Sequence, residues 1–153
     1  MRKLRRKDRA IGEIEAFKIL SEGEYGVLST VDESGQPYGV PLNYVYLDGS
    51  IYFHAAREGH KIANITCSSQ VSFCVVGKTR IIADQFTSLY ESAIIFGRAG
   101  IVDRAEKEKA LINLVEKYSS EYLEDGKKAI AQSLGSVAVI KIIIEHITGK
   151  AHR

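Results

Sequence analysis

The residues best suited to chemistry lie between His54 and Lys61, where the sequence reads HAAREGHK. A strand-like run ends at Ala55, and a helical pattern begins at Gly59. Backbone N–H groups and the dipole at the start of a helix attract an anion, and Lys61 adds a full positive charge. This turn is therefore predicted to hold a phosphate, with His54 beside whatever the phosphate carries.

The strand that leads to this turn belongs to a predicted β-hairpin. Two strand-like runs, Tyr38–Tyr46 and Ser50–Ala55, meet at Asp48-Gly49, a pair that favours a tight two-residue turn. A histidine at the end of the second run can donate a proton to a bound molecule or hold its anionic group. The hairpin is therefore expected to present a binding site that contains a titratable side chain.

Other patterns are open to simpler explanations. Gly77-Lys78-Thr79 follows a strand-like run, but Ser72 stands where a P-loop needs its first glycine, so a turn at the strand end is predicted. His54, His60 and Cys67 match no common zinc spacing, so no metal is expected. Five tyrosines of the first three strands either pair across strands or, in part, line a planar cofactor: Tyr25, Tyr38, Tyr44, Tyr46 and Tyr52.

The 153 residues are predicted to form one domain, 1–153, and their net charge of +2 gives no general reason to bind nucleic acid. No apolar run is long enough to span a membrane, and no secretory signal is recognised. Cys67 and Cys74 are predicted to be free thiols in a reducing cytoplasm. The basic residues near the start favour a solvated approach to a helix over a nucleic-acid arm: Arg2, Lys3, Arg5, Arg6, Lys7 and Arg9.

The remaining patterns indicate the fold class. Asp103 is placed to cap a long helix, and Gly97 and Gly100 mark bulges or bends. Hairpin-connected strands dominate and the longer helices come near the end, so the fold is expected to be mainly β (α+β), an antiparallel barrel with peripheral helices. Helices are predicted over 8–23, 59–67, 103–118 and 124–134, and strands over 25–32, 38–46, 50–55, 70–76, 80–86, 92–103 and 136–148.

Several blocks, in order along nearly the whole chain, resemble the 5-nitroimidazole-resistance branch of the pyridoxamine 5′-phosphate oxidase-like proteins. The resemblance implies an FMN-binding split β-barrel that forms a homodimer, with FMN in the groove at the subunit interface. It agrees with the barrel and the phosphate turn inferred from the residues themselves. The matching blocks are 24–30, 35–41, 51–54 with 59–61, 71–77, and 90–92 through 96–97.

The resemblance also implies roles for particular residues. His54 resembles the family's active-site histidine near the flavin, and Pro41 suits a strand edge beside a ligand because it has no N–H. Tyr90 and Ser92 resemble a stretch contributed by the partner subunit. The strand along the isoalloxazine ring is implied to be Val40, Pro41, Leu42 and Asn43. The phosphate and ribityl contacts are implied to be Ala55, Ala56, Gly59, His60 and Lys61.

The sequence thus predicts an FMN-dependent oxidoreductase that passes electrons to a small-molecule acceptor such as a nitroaromatic compound. The alternative is a non-catalytic protein that binds or sequesters flavin or haem, with His54 as a ligand or anchor. A nucleic-acid binder that uses the basic N-terminus is disfavoured, and neither nucleic acid nor membrane is an expected partner.

Overall fold

A computed structural model describes residues 4–153, so that Arg2 and Lys3 of the basic cluster lie outside the described part. The helices are α1 (Glu13–Glu22), α2 (His60–Cys67), α3 (Arg104–Ser119) and α4 (Leu123–Ser133). The strands are β1 (Ala10–Ile11), β2 (Gly26–Val31), β3 (Pro37–Leu42), β4 (Val45–Leu47), β5 (Ser50–Ala56), β6 (Gln70–Ile82), β7 (Thr87–Ile101) and β8 (Val137–His152).

Within residues 4–153, these strands form one antiparallel sheet in the order β3-β2-β6-β7-β8-β5-β4, with β1 paired to β8 beside this path. β3 and β4 stand at opposite ends of the order, yet only Asn43 and Tyr44 separate them in sequence. Because a link of this length spans at most about 11 Å, the sheet must curl until its two ends meet. The result is a split barrel, which confirms the predicted mainly β fold with peripheral helices.

Apolar side chains from the long strands fill the barrel. α1 closes one side of it with Ala16, Ile19 and Leu20. α3 and α4 instead cover the outer face of β4, β5 and β8, where Leu114 and Ile130 belong to a second apolar cluster. The fully buried side chains of the interior include Leu28, Phe53, Phe73, Val75, Ile95, Ile140 and Ile142.

Polar contacts fix the start of α3. The Asp103 carboxylate accepts a hydrogen bond from the Glu106 N–H at 2.9 Å, which confirms the predicted cap. The Lys141 ammonium and the Tyr52 hydroxyl both donate to Glu106 Oε1 at 2.6 Å. These two hydrogen bonds, the one from Lys141 foremost, lower the pKa of the Glu106 carboxyl. The helix is thereby held over the outer face of β5 and β8.

Several predicted elements have different bounds. The strand predicted over 80–86 is the end of β6 followed by a 3-10 turn, and β7 begins at Thr87 rather than at residue 92. The segment predicted as a single strand over 38–46 is two strands, β3 paired with β2 and β4 paired with β5. It divides at the Asn43-Tyr44 link, which side chains of α3 bind. The helix predicted over 8–23 begins only at Glu13, because Ala10 and Ile11 pair with the end of β8.

The Gly77-Lys78-Thr79 segment is not the strand-end turn that was predicted. β6 continues to Ile82, and its register with β7 shifts between Val76 and Thr79, so the segment forms a β-bulge. A second shift, in the β7–β8 ladder, lies between Phe96 and Gly97 as predicted. There, a β-carbon on Gly97 would lie 2.2 Å from the carbonyl oxygen of Ile143, so only glycine fits.

Candidate functional site

Because the predicted strand over 38–46 divides into β3 and β4, the β4–β5 hairpin is paired over only part of its length. β4 and β5 pair from Leu47 with Ser50 to Val45 with Tyr52. Before Val45 the chain forms β3, which pairs with β2 and not with β5. Within residues 4–153, the segment 53–56 of β5 therefore pairs with β8 alone. We call the gap between β3 and residues 53–56 of β5 the split.

The register of this hairpin shows which residues border the split. Extended past Val45 and Tyr52, it would place Asn43 opposite His54 and Pro41 opposite Ala56. Successive residues of a strand point to opposite faces, so these four side chains share one face. All four are exposed. Four of the predicted site residues therefore lie on the two sides of one opening.

Backbone hydrogen bonding decides which main-chain groups of β3 are unpaired. The Asp32 N–H donates to the Gln36 carbonyl at 3.2 Å. From that pair, the alternation of an antiparallel ladder turns the backbone groups of Pro37, Gly39 and Pro41 away from β2. Both prolines of the chain thus stand where an N–H would have no strand partner. The free edge of β3 presents mainly carbonyl oxygens and is protected from pairing with another strand.

The other side of the split also has unpaired backbone groups. Asp48 and Gly49 form a two-residue turn with φ of 49° and 78°, so Leu47 and Ser50 are a hydrogen-bonded pair. Alternation along β5 then turns the N–H and C=O groups of His54 and Ala56 toward the split. A ligand there could satisfy main-chain groups that the open ladder leaves free.

The split ends at the turn that joins β5 to α2. Gly59 precedes α2 with φ of 131°, a conformation that favours glycine. Among the described residues no side chain caps α2, whereas Asp103 caps α3. The N–H groups of the first turn of α2 are therefore available to an anion, and the half-buried Lys61 stands in that turn.

Tyr38 brings β3 into contact with this turn. Its ring stacks on the imidazole of His60, with ring centroids 4.0 Å apart and planes inclined by 21°. One turn further along α2, the buried Asn64 donates from Nδ2 to Thr30 Oγ1 at 2.9 Å and so ties the helix to β2. Sequence reasoning did not single out Tyr38 as a site residue. Its only signal was its place among the tyrosines of the first strands.

Other predicted site residues are placed less directly. The side chains of Val40 and Leu42 pack against the barrel interior, and Ala55 is 6% exposed and faces the core. Tyr90 and Ser92 lie on β7, which β8 separates from β5. One chain therefore does not bring these two residues to the split.

Two further observations bear on ligands. In the part of the chain that the structure describes, no three His, Cys, Asp or Glu residues lie together as a metal site would require. No helix within residues 4–153 is both long and apolar enough to cross a membrane. The arrangement that remains is an open seam with unpaired backbone groups that ends at an uncapped helix beside a lysine. It suits an elongated, planar ligand that carries a phosphate.

The fold is that of a split-barrel protein, and the turn before α2 is the part of it that could accept an anion. The family model for pyridoxamine 5′-phosphate oxidase matches residues 13–151. The chain belongs to the pyridoxamine 5′-phosphate oxidase family.

Solved structures share the fold. A candidate 5-nitroimidazole antibiotic resistance protein from Bacteroides thetaiotaomicron is 22% identical, with 92% of this chain and 85% of that chain covered and a TM-score of 0.72. A FAD-binding protein from Mesorhizobium loti is 22% identical over 95% and 98% of the two chains, with a TM-score of 0.69. The heme storage protein HutZ from Vibrio cholerae is 17% identical over 88% and 92%, with a TM-score of 0.65. No curated protein sequence matches the chain.

Proposed function

We propose that this protein binds FMN in the split and acts as an oxidoreductase that reduces a small-molecule acceptor such as a nitroaromatic (5-nitroimidazole) compound. The observation that carries the proposal is the open hairpin, whose unpaired edges lead to the uncapped start of α2. The family and the FAD-binding relative of the same fold support a flavin. The candidate resistance protein supports the class of acceptor.

In this proposal the redox chemistry is that of the bound flavin, and the chain supplies binding, orientation and protons. Lys61 and the N–H groups of α2 hold the phosphate. The backbone groups of Gly39, His54 and Ala56 can hydrogen-bond to the polar edge of the ring. The exposed His54 imidazole would donate a proton to the acceptor as it is reduced and would regain one from water.

We further propose that the active unit is a homodimer. Tyr90 and Ser92 lie on β7, away from the split of their own chain. A second copy would supply these residues to the flavin, as the family resemblance implies.

The first test is the ligand itself. The purified protein is expected to be yellow, and mass spectrometry of the released ligand should identify FMN. Replacing Lys61 by Ala removes a charge-assisted contact worth roughly 1.5–3 kcal/mol, so FMN affinity should fall on the order of tenfold or more. Titration of the apoprotein with FMN, followed by flavin fluorescence, measures the affinity.

The matched control is Lys78→Ala, because Lys78 is an exposed lysine in the bulge of β6. It should leave FMN affinity unchanged. If Lys61→Ala binds FMN as tightly as Lys78→Ala does, the assignment of the phosphate to the α2 turn is wrong.

A second function is binding or sequestration without turnover. The fold shared with the heme storage protein favours it, and His54 would then act as a ligand or anchor. The absorbance spectrum of the purified protein separates haem from flavin. Reductant-driven consumption of a nitroaromatic compound separates an oxidoreductase from a storage protein.

A further inference from the structure

The link that joins β3 to β4 is bound by the end of α3. The Lys117 ammonium donates to the carbonyl oxygens of Gly23 at 2.7 Å and Tyr44 at 3.0 Å. It also lies 4.0 Å from the centroid of the Tyr44 ring, within the range of a cation–π contact. One half-buried cation thereby connects α3, the residue that follows α1 and the β3–β4 link.

Tyr118 binds the same link from the next position. Its hydroxyl oxygen accepts from the Tyr44 N–H at 3.1 Å and lies 2.9 Å from the Tyr44 carbonyl oxygen. The Glu24 carbonyl oxygen is 2.5 Å away, and the single hydroxyl proton serves one of these two acceptors at a time. Because the β4–β5 ladder turns the backbone groups of Tyr44 away from β5, this hydroxyl takes the place of a neighbouring strand.

The side chains of Asn43 and Tyr44 make further contacts. Asn43 Nδ2 donates to the Glu24 carbonyl at 3.1 Å, and the buried Tyr44 hydroxyl donates to the Leu20 carbonyl. The Tyr44 ring meets Phe73 edge to face, with centroids 4.9 Å apart. A β-carbon on Gly23 would lie 2.6 Å from the Tyr44 hydroxyl, so the close approach requires glycine there.

These contacts lie where the hairpin opens. The next hydrogen-bonded pair in the β4–β5 register would be Asn43 with His54, and that pair would close the split from its inner end. Instead, Asn43 and Tyr44 are bonded to α3 and to residues 20–24.

We propose that Lys117 and Tyr118 are positioning residues that hold the split open by fixing the Asn43-Tyr44 link to α3 and to the residues before β2. The inference rests on the proposed function, because the split is the proposed flavin site. Neither side chain touches the flavin in this view. Both act through Asn43 and the adjoining end of β3.

Two conservative variants test the inference. Tyr118→Phe removes only the hydroxyl, and Lys117→Met keeps an apolar stem but removes the donors. Each is expected to weaken FMN binding by about tenfold, the scale of one lost hydrogen bond with a charged or tightly held group. The controls are Tyr122→Phe and Lys128→Met, exposed residues beyond the end of α3 whose side chains make no hydrogen bond with the link among the described residues.

A general loss of stability has to be separated from positioning. Ile130→Val weakens the packing of α4 on α3 and should lower Tm without changing FMN affinity. Double-mutant cycles identify the route: Tyr118→Phe should be non-additive with Asn43→Ala and additive with Lys61→Ala, which acts at the far end of the split. Amide exchange at the Tyr44 N–H should also be faster in Tyr118→Phe.

The outcomes separate the two proposals. A parent protein that binds no FMN overturns the proposed function and this inference with it. A parent that binds FMN, with Tyr118→Phe and Lys117→Met binding it equally well, overturns this inference alone. So does additivity of Tyr118→Phe with Asn43→Ala. If Lys117→Met does not fold, the Tyr118→Phe results decide.

Discussion

At the scale of single residues, His54 carries the chemistry of the proposal. Its backbone groups face the split, and its side chain lies on the exposed face of β5, two residues from the buried Tyr52. Tyr52 is covered by α3, whereas His54 is not. The imidazole is therefore free to meet a bound molecule.

Replacing His54 by Gln should leave folding and FMN content nearly unchanged, because the side chain is exposed. The rate of electron transfer to a nitroaromatic acceptor should fall by on the order of 10²-fold, the usual scale for losing a positioned acid or base. Stopped-flow reoxidation of the reduced protein measures this rate. An unchanged rate in a fully loaded variant would leave His54 with a structural role only.

Lys117 provides a test of electrostatics at one residue. Burial lowers the pKa of its ammonium group from 10.5 to about 8, while the two carbonyl contacts favour the charged form. Between these pKa values the unfolded chain binds more protons, so the contribution of Lys117 to stability rises with pH from about 8 to 10.5. That contribution is lost as the pH falls through about 8. Because the side chain is only partly buried, solvent screens the effect.

The free energy of unfolding of the parent should therefore increase relative to that of Lys117→Met between about pH 7 and about pH 10. Urea unfolding of both proteins at several pH values gives the difference, and the comparison removes the titration of other groups. If the free energies of unfolding of the two proteins change with pH in parallel, the lowered pKa of Lys117 is contradicted.

At the scale of elements, α3 connects the fold to the site. Its first turn is capped by Asp103 and bonded to Tyr52 and Lys141 through Glu106, and its last turn binds the β3–β4 link. The helix thus spans from β5 to the start of β2. We therefore expect that a substitution at the N-terminus of α3 changes the stability of the protein without changing the geometry of the split.

Asp103→Ala should destabilise the protein by about 0.5–2 kcal/mol, because the Glu106 N–H loses its cap. FMN affinity should change little, because the contacts to the link lie at the other end of α3. Asp125→Ala, in the first turn of α4, is the matched control. If Asp103→Ala lowers FMN affinity as much as Tyr118→Phe does, the two ends of α3 do not act independently.

At the scale of the whole molecule, the surface of one chain leaves several large apolar side chains exposed. Ile143 is 57% exposed in the middle of β8, and Phe86 is 98% exposed at the tip of the β6–β7 hairpin. The structure buries Ile142 and leaves Ile143 at the surface. Burial of such side chains in a second copy would add to the hydrophobic stabilisation of a dimer.

The flavin-loaded protein should therefore sediment as an isologous dimer, with both chains completing each site. Sedimentation velocity with detection at the flavin absorbance measures the mass of the loaded species. A monomer that retains a full complement of FMN would show that one chain suffices and that Tyr90 and Ser92 play no part from a second copy.

The local features of this protein followed from its sequence because each depends on neighbouring residues. The Asp48-Gly49 turn and the Asp103 cap are set by backbone conformation and short-range hydrogen bonds. The matching blocks along the chain likewise identified its family. The turn between β5 and α2, from His54 to Lys61, was also predicted from neighbouring residues alone.

Only the tertiary structure decided that the predicted strand over 38–46 divides. The division depends on Lys117 and Tyr118, more than seventy residues away, which bind the backbone at Tyr44. No local pattern records such a contact, because β-propensity reports how a residue fits a pleated, half-buried surface and not where a strand changes its partner. The curling of the sheet then sets β3 against β5 as two free edges and places Tyr38 on His60. The sequence predicted which residues bind a phosphate-bearing ligand, and long-range packing determined that an open seam lies beside them.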